Sequence, residues 1–139
     1  MKKLSVLLFL YTSFICYAQE KNLTCLDFNR GEFRNISENS NLSSLIVRNG
    51  NKQLEVTNGV ESFKRIEWLN DCDYILFFSN RDAKKDSFKR FINKNGGIKV
   101  KTVKIEKNIL YYNTYYFDGK KEIMGEGRLL KTSNHASFK

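Results

Sequence analysis

Leu45-Ile46-Val47-Arg48-Asn49-Gly50-Asn51-Lys52-Gln53-Leu54-Glu55-Val56-Thr57-Asn58-Gly59-Val60-Glu61 places two Asn-Gly steps nine residues apart, each between apolar stretches. Asn-Gly supplies the positive φ that a two-residue hairpin turn requires, so the stretch reads as strand, turn, strand, turn, strand. The same punctuation recurs at Asn95-Gly96-Gly97 and Asp118-Gly119. Working outward from these turns, strands are predicted at Leu23–Phe28, Glu32–Ile36, Ser44–Arg48, Lys52–Thr57, Glu61–Leu69, Asp73–Ser79, Ile98–Glu106, Ile109–Phe117 and Lys121–Leu130. Nine short strands with brief connections predict a mainly β chain, an antiparallel up-and-down meander that curls into a barrel or half-barrel. The chain has no proline, so every strand can donate fully to its ladder.

Two predicted strands, Tyr74-Ile75-Leu76-Phe77-Phe78 and Leu110-Tyr111-Tyr112 running on to Tyr115-Tyr116-Phe117, are apolar at odd and even positions alike and need cover on both faces. In Ile98–Glu106 the apolar parity changes between Val100 and Val103, which predicts a bulge near Lys101-Thr102. Gly125 and Gly127 share one face of the last strand, as weakly packed positions or as a place where another backbone or a ligand approaches. One segment departs from the β pattern: Phe88, Phe91 and Ile92 recur at helical spacing amid Lys84, Lys85, Lys89, Arg90 and Lys94. A single short helix is expected near 82–95, capped by Asp82 and ended by a left-handed turn at Asn95-Gly96. Its apolar stripe would pack over the mouth or side of a barrel, or enter a membrane with its lysines at the headgroups.

The N-terminus has a basic start at Lys2 and Lys3, an apolar run from Leu4 to Ile15, and Cys16-Tyr17-Ala18 before Gln19, the pattern of a secretory signal peptide. Its apolar run is well short of the roughly 20 residues needed to span a bilayer. Ile15 stands where a lipoprotein signal needs a small residue, so acylation of Cys16 is not expected. The domain plan is therefore a cleaved signal peptide over 1–18, one β domain over 19–131 and a flexible tail over 132–139, exported to periplasm or medium. The short lysine-rich signal is of bacterial type, which makes the Asn-x-Ser/Thr triplets at Asn22, Asn35 and Asn41 incidental. With 41% hydrophobic and 14% aromatic residues over the whole sequence, the chain can build a real core.

Cleavage removes Cys16 and leaves Cys25 and Cys72, which pair naturally as one disulfide in an oxidising compartment. It also leaves 22 basic against 15 acidic side chains, and the window Arg81 to Lys107, with ten basic and three acidic, carries the whole excess. A localised field of that sign either keeps a face solvated or recruits polyanions in a salt-dependent way. Export makes nucleic acid an unlikely partner and favours anionic envelope lipid or polysaccharide, with Lys84, Lys85, Lys89, Arg90 and Lys94 as the candidate anion-binding set. Catalysis has little to draw on: His135 is the only histidine and lies near the C-terminus, and no phosphate loop or His-x-x-x-His pair occurs. Neither a metal site nor a cofactor is expected, and the carboxylates Glu67, Asp71 and Asp73 read as solvated groups beside a turn. Trp68 reads as core, with a sugar-stacking platform as its rival role.

Three pieces of the first half, Cys25-Leu26-Asp27-Phe28 with Gly31-Glu32-Phe33, Ile46-Val47-Arg48 with Gln53-Leu54-Glu55, and Ile66 through Trp68-Leu69-Asn70-Asp71-Cys72-Asp73-Tyr74, resemble a family of small exported bacterial proteins without an established function. Members are sometimes labelled as a topoisomerase subunit, an enzyme that a chain of this size with a signal peptide cannot supply. The resemblance implies a cysteine pair and a lipocalin-like β architecture, and it carries over no catalytic residue.

The aromatic supply directs the functional expectation: a non-enzymatic binding module for an apolar or amphipathic ligand, with Trp68, Tyr74, Tyr111, Tyr112, Tyr115 and Tyr116 as the candidate pocket. An envelope-surface protein binding anionic lipid or polysaccharide through 81–107 is the alternative, and an inhibitor of an external hydrolase is a third.

Overall fold

A computed structural model describes residues 21–36 and 43–138. The expected signal peptide over 1–18 with Cys16, the triplet at Asn41 and the connection over 37–42 lie outside the described residues. Eight strands run in chain order: β1 (Arg30–Ile36), β2 (Ser43–Asn49), β3 (Lys52–Thr57), β4 (Val60–Trp68), β5 (Tyr74–Phe78), β6 (Ile98–Glu106), β7 (Ile109–Phe117) and β8 (Glu122–Ser133). Each pairs antiparallel with its neighbour and β8 returns to pair with β1, so the meander closes into a lipocalin-like barrel rather than a half-barrel. The hairpins form where the turn pairs stand. At the β3–β4 turn Asn58 and Gly59 have φ of 50° and 75°, the left-handed values that this dipeptide tolerates.

The first predicted strand is absent. Residues Cys25–Phe28 form a 3-10 helix, because the Asp27 carboxylate accepts hydrogen bonds from Thr24 N (2.7 Å) and Thr24 Oγ1 (3.0 Å) and folds the chain back on itself. Those two bonds, backbone first, hold the Asp27 carboxyl below its ordinary pKa. The turn drives Phe28 into one end of the barrel, where it packs with Phe33, Ile46, Leu110 and Leu129. A second cluster of Ile66, Tyr74, Leu76 and Val100 continues the core, and Tyr112 touches both. The Cys25–Cys72 disulfide, with Cα atoms 4.9 Å apart, ties the 3-10 helix to the β4–β5 connection.

The bulge lies at the predicted place: the β6–β7 register shifts between Thr102 and Lys104, leaving Val103 turned outward and exposed. Before it, Thr102 donates its N–H to Asp73 Oδ1 (2.9 Å) and its hydroxyl to Cys72 O (3.0 Å), which stitches the bulge to the disulfide loop.

The expected single helix is two. Asn80–Lys85 forms α1 and Ser87–Lys94 forms α2, with Asp86 extended between them (φ −133°, ψ 115°). Asp86 breaks the helix because its carboxylate caps the second one, accepting from Phe88 N (2.9 Å) and Lys89 N (3.1 Å). Ser79, not Asp82, caps α1, through Oγ to Asp82 N at 3.1 Å. Asp82 instead accepts from Phe63 N of β4 at 3.0 Å and docks the helix on the rim. At its other end α2 stops through Gly96 and Gly97, both with positive φ, as expected. The β5–β6 ladder covers only three residue pairs, and beyond it Asn93 of α2 takes the place of a strand, bonding both Phe78 N and Phe78 O at 2.9 Å. The last strand also outruns its expected end at Leu130, so the tail begins after Ser133 rather than at Thr132.

Candidate functional site: the barrel interior and its mouth

Registers across the ladders assign the inner face. Glu32 through Ser133 alternate so that Phe33, Asn35, Ser44, Ile46, Arg48, Gln53, Glu55 and Thr57 face inward on the first three strands. Ser62, Lys64, Ile66 and Trp68 follow on β4, Tyr74, Leu76 and Phe78 on β5, and Tyr112, Thr114 and Tyr116 on β7. The two halves of this interior differ in chemistry.

The half beside the 3-10 helix is closed and buried. Its centre is Arg48, 1% exposed, which donates Nε to Gln53 Oε1 (2.8 Å), Nη1 to Phe28 O (3.1 Å) and Nη2 to the Tyr74 hydroxyl. The guanidinium lies over the rings of Tyr74 (4.6 Å), Phe33 (5.5 Å) and Trp68 (6.0 Å). No carboxylate forms an ion pair with it among the described residues, so hydrogen bonds and ring faces hold the charge. Trp68 packs on Tyr74 with centroids 4.9 Å apart and donates Nε1 to Gly50 O, a structural position as the core reading expects. The parity of Arg48 with Ile46, and of Gln53 across the Asn49-Gly50 turn, was the available signal for this network. A charged residue at an inward position is easily assigned to solvent when only alternation is read.

The half beside α1 and α2 is lined by short polar groups. Ser44 bonds Thr57 through their hydroxyls at 2.6 Å, Lys64 pairs with Glu55, and Tyr112 donates its hydroxyl to Asn35 Oδ1 at 2.7 Å. Burial pushes the Tyr112 phenol far above its ordinary pKa, with the neighbouring Tyr74 adding to the effect. Ser62 Oγ is buried with no hydrogen-bond partner among the described residues. Phe78 stands at the rim with Lys64 Nζ and Lys89 Nζ each 5.4 Å from its ring centre. Lys64 has its carboxylate; the half-buried Lys89 forms no ion pair among the described residues. Gly127 opens room here, because a Cβ on it would overlap the Tyr112 ring.

The six candidate pocket aromatics are thus divided. Trp68 and Tyr74 belong to the closed half, Tyr112 bridges the halves, and Tyr116 is at the mouth edge-on to Phe88, 6.2 Å between centroids. Tyr111 and Tyr115 are on the outer wall beneath Lys104 (4.7 Å) and Lys101 (5.8 Å). The basic window divides as well: Lys84, Lys85, Lys89, Arg90 and Lys94 belong to the mouth helices, whereas Lys99, Lys101 and Lys104 stud the outer wall of β6. Of the acidic group, Asp73 braces Thr102, Glu67 meets Arg65 Nη1 at 3.3 Å, and Asp71 is exposed.

The outer wall carries a cleft of about 570 Å³ between the β2–β3 turn and β4, bordered by Gln53, Phe63, Arg65 and, from the tail, Phe138. Among the described residues no group of three His, Cys, Asp or Glu could hold a metal ion, and no helix is long and apolar enough to cross a membrane. No protein-family model, no curated protein and no solved structure matches the chain.

Proposed function

We propose that this protein is a non-enzymatic binding module, exported to the periplasm or medium, whose mouth-side barrel interior takes a small amphipathic anion. The observation that carries the reading is the change of inner-face chemistry halfway along the barrel. A barrel end that only packs itself is filled and satisfies its own polar groups, as the closed half does around Arg48. The mouth half instead presents Ser44, Thr57, Ser62 and Thr114, with the Lys64–Glu55 pair, above an apolar floor of Leu76, Ile66 and the Tyr112 ring. Among the described residues, a buried Ser62 hydroxyl without a hydrogen-bond partner and a Lys89 ammonium that forms no ion pair are complementary to an anionic head.

The reading as a binder rather than an enzyme draws on the state of the inner titratable groups: Glu55 is engaged by Lys64, and burial holds the Tyr112 proton in place at neutral pH. The disulfide and the N-terminal pattern together support export.

Fluorescence titration with cis-parinarate tests the site. Saturable binding is expected, abolished by Ser62→Phe, which fills the inner wall, and weakened by Lys89→Glu, with melting temperatures retained. Binding untouched by both substitutions would refute the site. Failure of any amphipathic anion to bind, or to co-purify from the native host, would refute the function.

A further inference from the structure

We propose that the mouth end of the barrel docks on an anionic lipid bilayer, with Phe88 and Phe117 entering the interface and the surrounding lysines and arginines meeting headgroup phosphates. The inference uses the outer surface of the rim and is independent of what the interior holds.

The up-and-down topology brings alternate connections to one end. The β3–β4 turn, the α1–α2 segment and the β7–β8 turn therefore share the mouth. Three exposed apolar side chains stand on them: Phe88 on α2 (52% exposed), Phe117 at the end of β7 (40%) and Val60 at the start of β4 (68%). Phe88 and Phe117 are held rather than loose, because Phe88 meets Tyr116 edge-on and Phe117 stacks on Phe91 of α2 at 6.1 Å. Exposed aromatic rings fixed by packing lose little entropy on entering an interface.

The charges around them are mixed with a positive excess. Arg81, Lys84, Lys85 and Arg90 of the helices and Lys120 and Lys121 of the β7–β8 turn are all exposed. The acids within those two segments bond the backbone but keep their charge, and Asp82 also pairs with Arg81 at 3.3 Å. Asp82 accepts from Phe63 N, Asp86 caps α2, and Asp118 accepts from Lys120 N (2.8 Å) and Lys121 N (2.9 Å). With Glu61 and Glu122 nearby, the described residues of the rim hold eight Lys and Arg against five carboxylates. The closed end provides the contrast. Leu26 and Leu69 are as exposed as Phe88, but there Asp27, Asp71, Asp73 and Glu106 nearly balance Lys21, Arg30, Lys52, Lys107 and Lys131 among the described residues. The larger positive excess beside exposed aromatic rings therefore favours the mouth end and an anionic bilayer.

Sedimentation with vesicles of phosphatidylglycerol in phosphatidylcholine, against phosphatidylcholine alone, tests the orientation. The protein should be retained by the anionic vesicles and released by salt. Each cation contributes about fivefold to partitioning, so Lys84→Gln with Lys85→Gln should weaken it about thirtyfold. Phe88→Ser should weaken it at least about tenfold. Leu26→Ser with Leu69→Ser at the closed end should leave it unchanged. A Phe88→Trp variant should be quenched by brominated lipid chains, while Trp68 in the parent protein should not. Equal retention on neutral vesicles, no loss in the mouth variants, a comparable loss in the closed-end variant, or retention by soluble polygalacturonate without vesicle binding would each overturn the proposal.

Discussion

Replacing Arg48 by Met should lower stability by about 3 kcal/mol, a figure set by the acceptors that remain after the guanidinium is gone. Methionine retains much of the side chain's volume, so the effect is one of polarity rather than of a large cavity. In the parent protein the guanidinium serves Phe28 O, Gln53 Oε1 and the Tyr74 hydroxyl in a shell 1% exposed. The Tyr74 hydroxyl can turn and donate elsewhere, but the two carbonyl oxygens cannot, and each buried acceptor without a donor costs about 1–3 kcal/mol. Contacts of the cation with three ring faces, worth up to about 2 kcal/mol each when desolvated, are lost as well. Against these losses stands relief from burying a charge without a counterion, several kcal/mol in sign opposite to the rest. The losses exceed that relief, because the acceptors stay in place with no replacement donor. At about 4 °C per kcal/mol for a domain of this size the melting temperature should fall about 12 °C. Trp68, 6.0 Å from the guanidinium, reports the transition by fluorescence in a urea titration under non-reducing conditions. A companion Gln53→Met substitution removes one orphaned acceptor, so the double variant should recover at least about 1 kcal/mol relative to additivity. An Arg48→Met variant that unfolds at the parent midpoint, or a cycle with no coupling, would refute the reasoning.

Three further outcomes are expected. Replacing Cys25 and Cys72 by Ser together should cost about 4 kcal/mol, because the bridge closes a loop of sequence separation 47 in the unfolded chain; a urea midpoint shift worth under about 1 kcal/mol would contradict this. Gly127→Val should displace the Tyr112 ring, break its bond to Asn35 and cost about 1–3 kcal/mol. An ultraviolet titration should then count one more tyrosine ionising near the ordinary value of 10.0, and an unchanged count would show that the ring had not moved. Asp82 is pushed up by its burial, but the Phe63 amide and Arg81 outweigh this and leave its pKa below the ordinary 3.8. A carboxyl depressed in the fold contributes stability that is full above the ordinary value and lost as pH falls through the folded one. Asp82→Asn should therefore flatten part of the acid limb of stability below about pH 4, measured by melting temperature against pH, and parallel acid limbs for the two proteins would refute it.

Much of the barrel was legible because its signals are local. Asn58-Gly59 forms a left-handed turn wherever it stands between two strands, and the parity change from Val100 to Val103 reports a bulge without reference to any partner. The cysteine pair was legible by elimination once Cys16 was assigned to the signal. Leu23–Phe28 misled because its apolar content fits a strand, while the decisive interaction, Asp27 with Thr24, is a side-chain bond that alternation does not record. The helix over 82–95 divided for a similar reason, Asp86 gaining more as the cap of α2 than as an interior residue. The candidate pocket was less legible. Ile109–Phe117 is aromatic at both parities, so nothing within it distinguishes Tyr112, under Gly127 inside the barrel, from Tyr111, under Lys104 outside.

By itself the amino-acid sequence determined where the hairpin turns stand, that the strands turn back on one another, and which two cysteines are available to each other, since each depends on residues adjacent along the chain or on simple counting. Only the tertiary structure decided that β8 closes onto β1, that Arg48 is the centre of a buried end, and that the mouth half is polar with Lys89 at its rim. Those properties depend on ladder register between strands far apart in sequence. A shift of one residue would have exchanged the inner and outer faces while leaving every local pattern as it was.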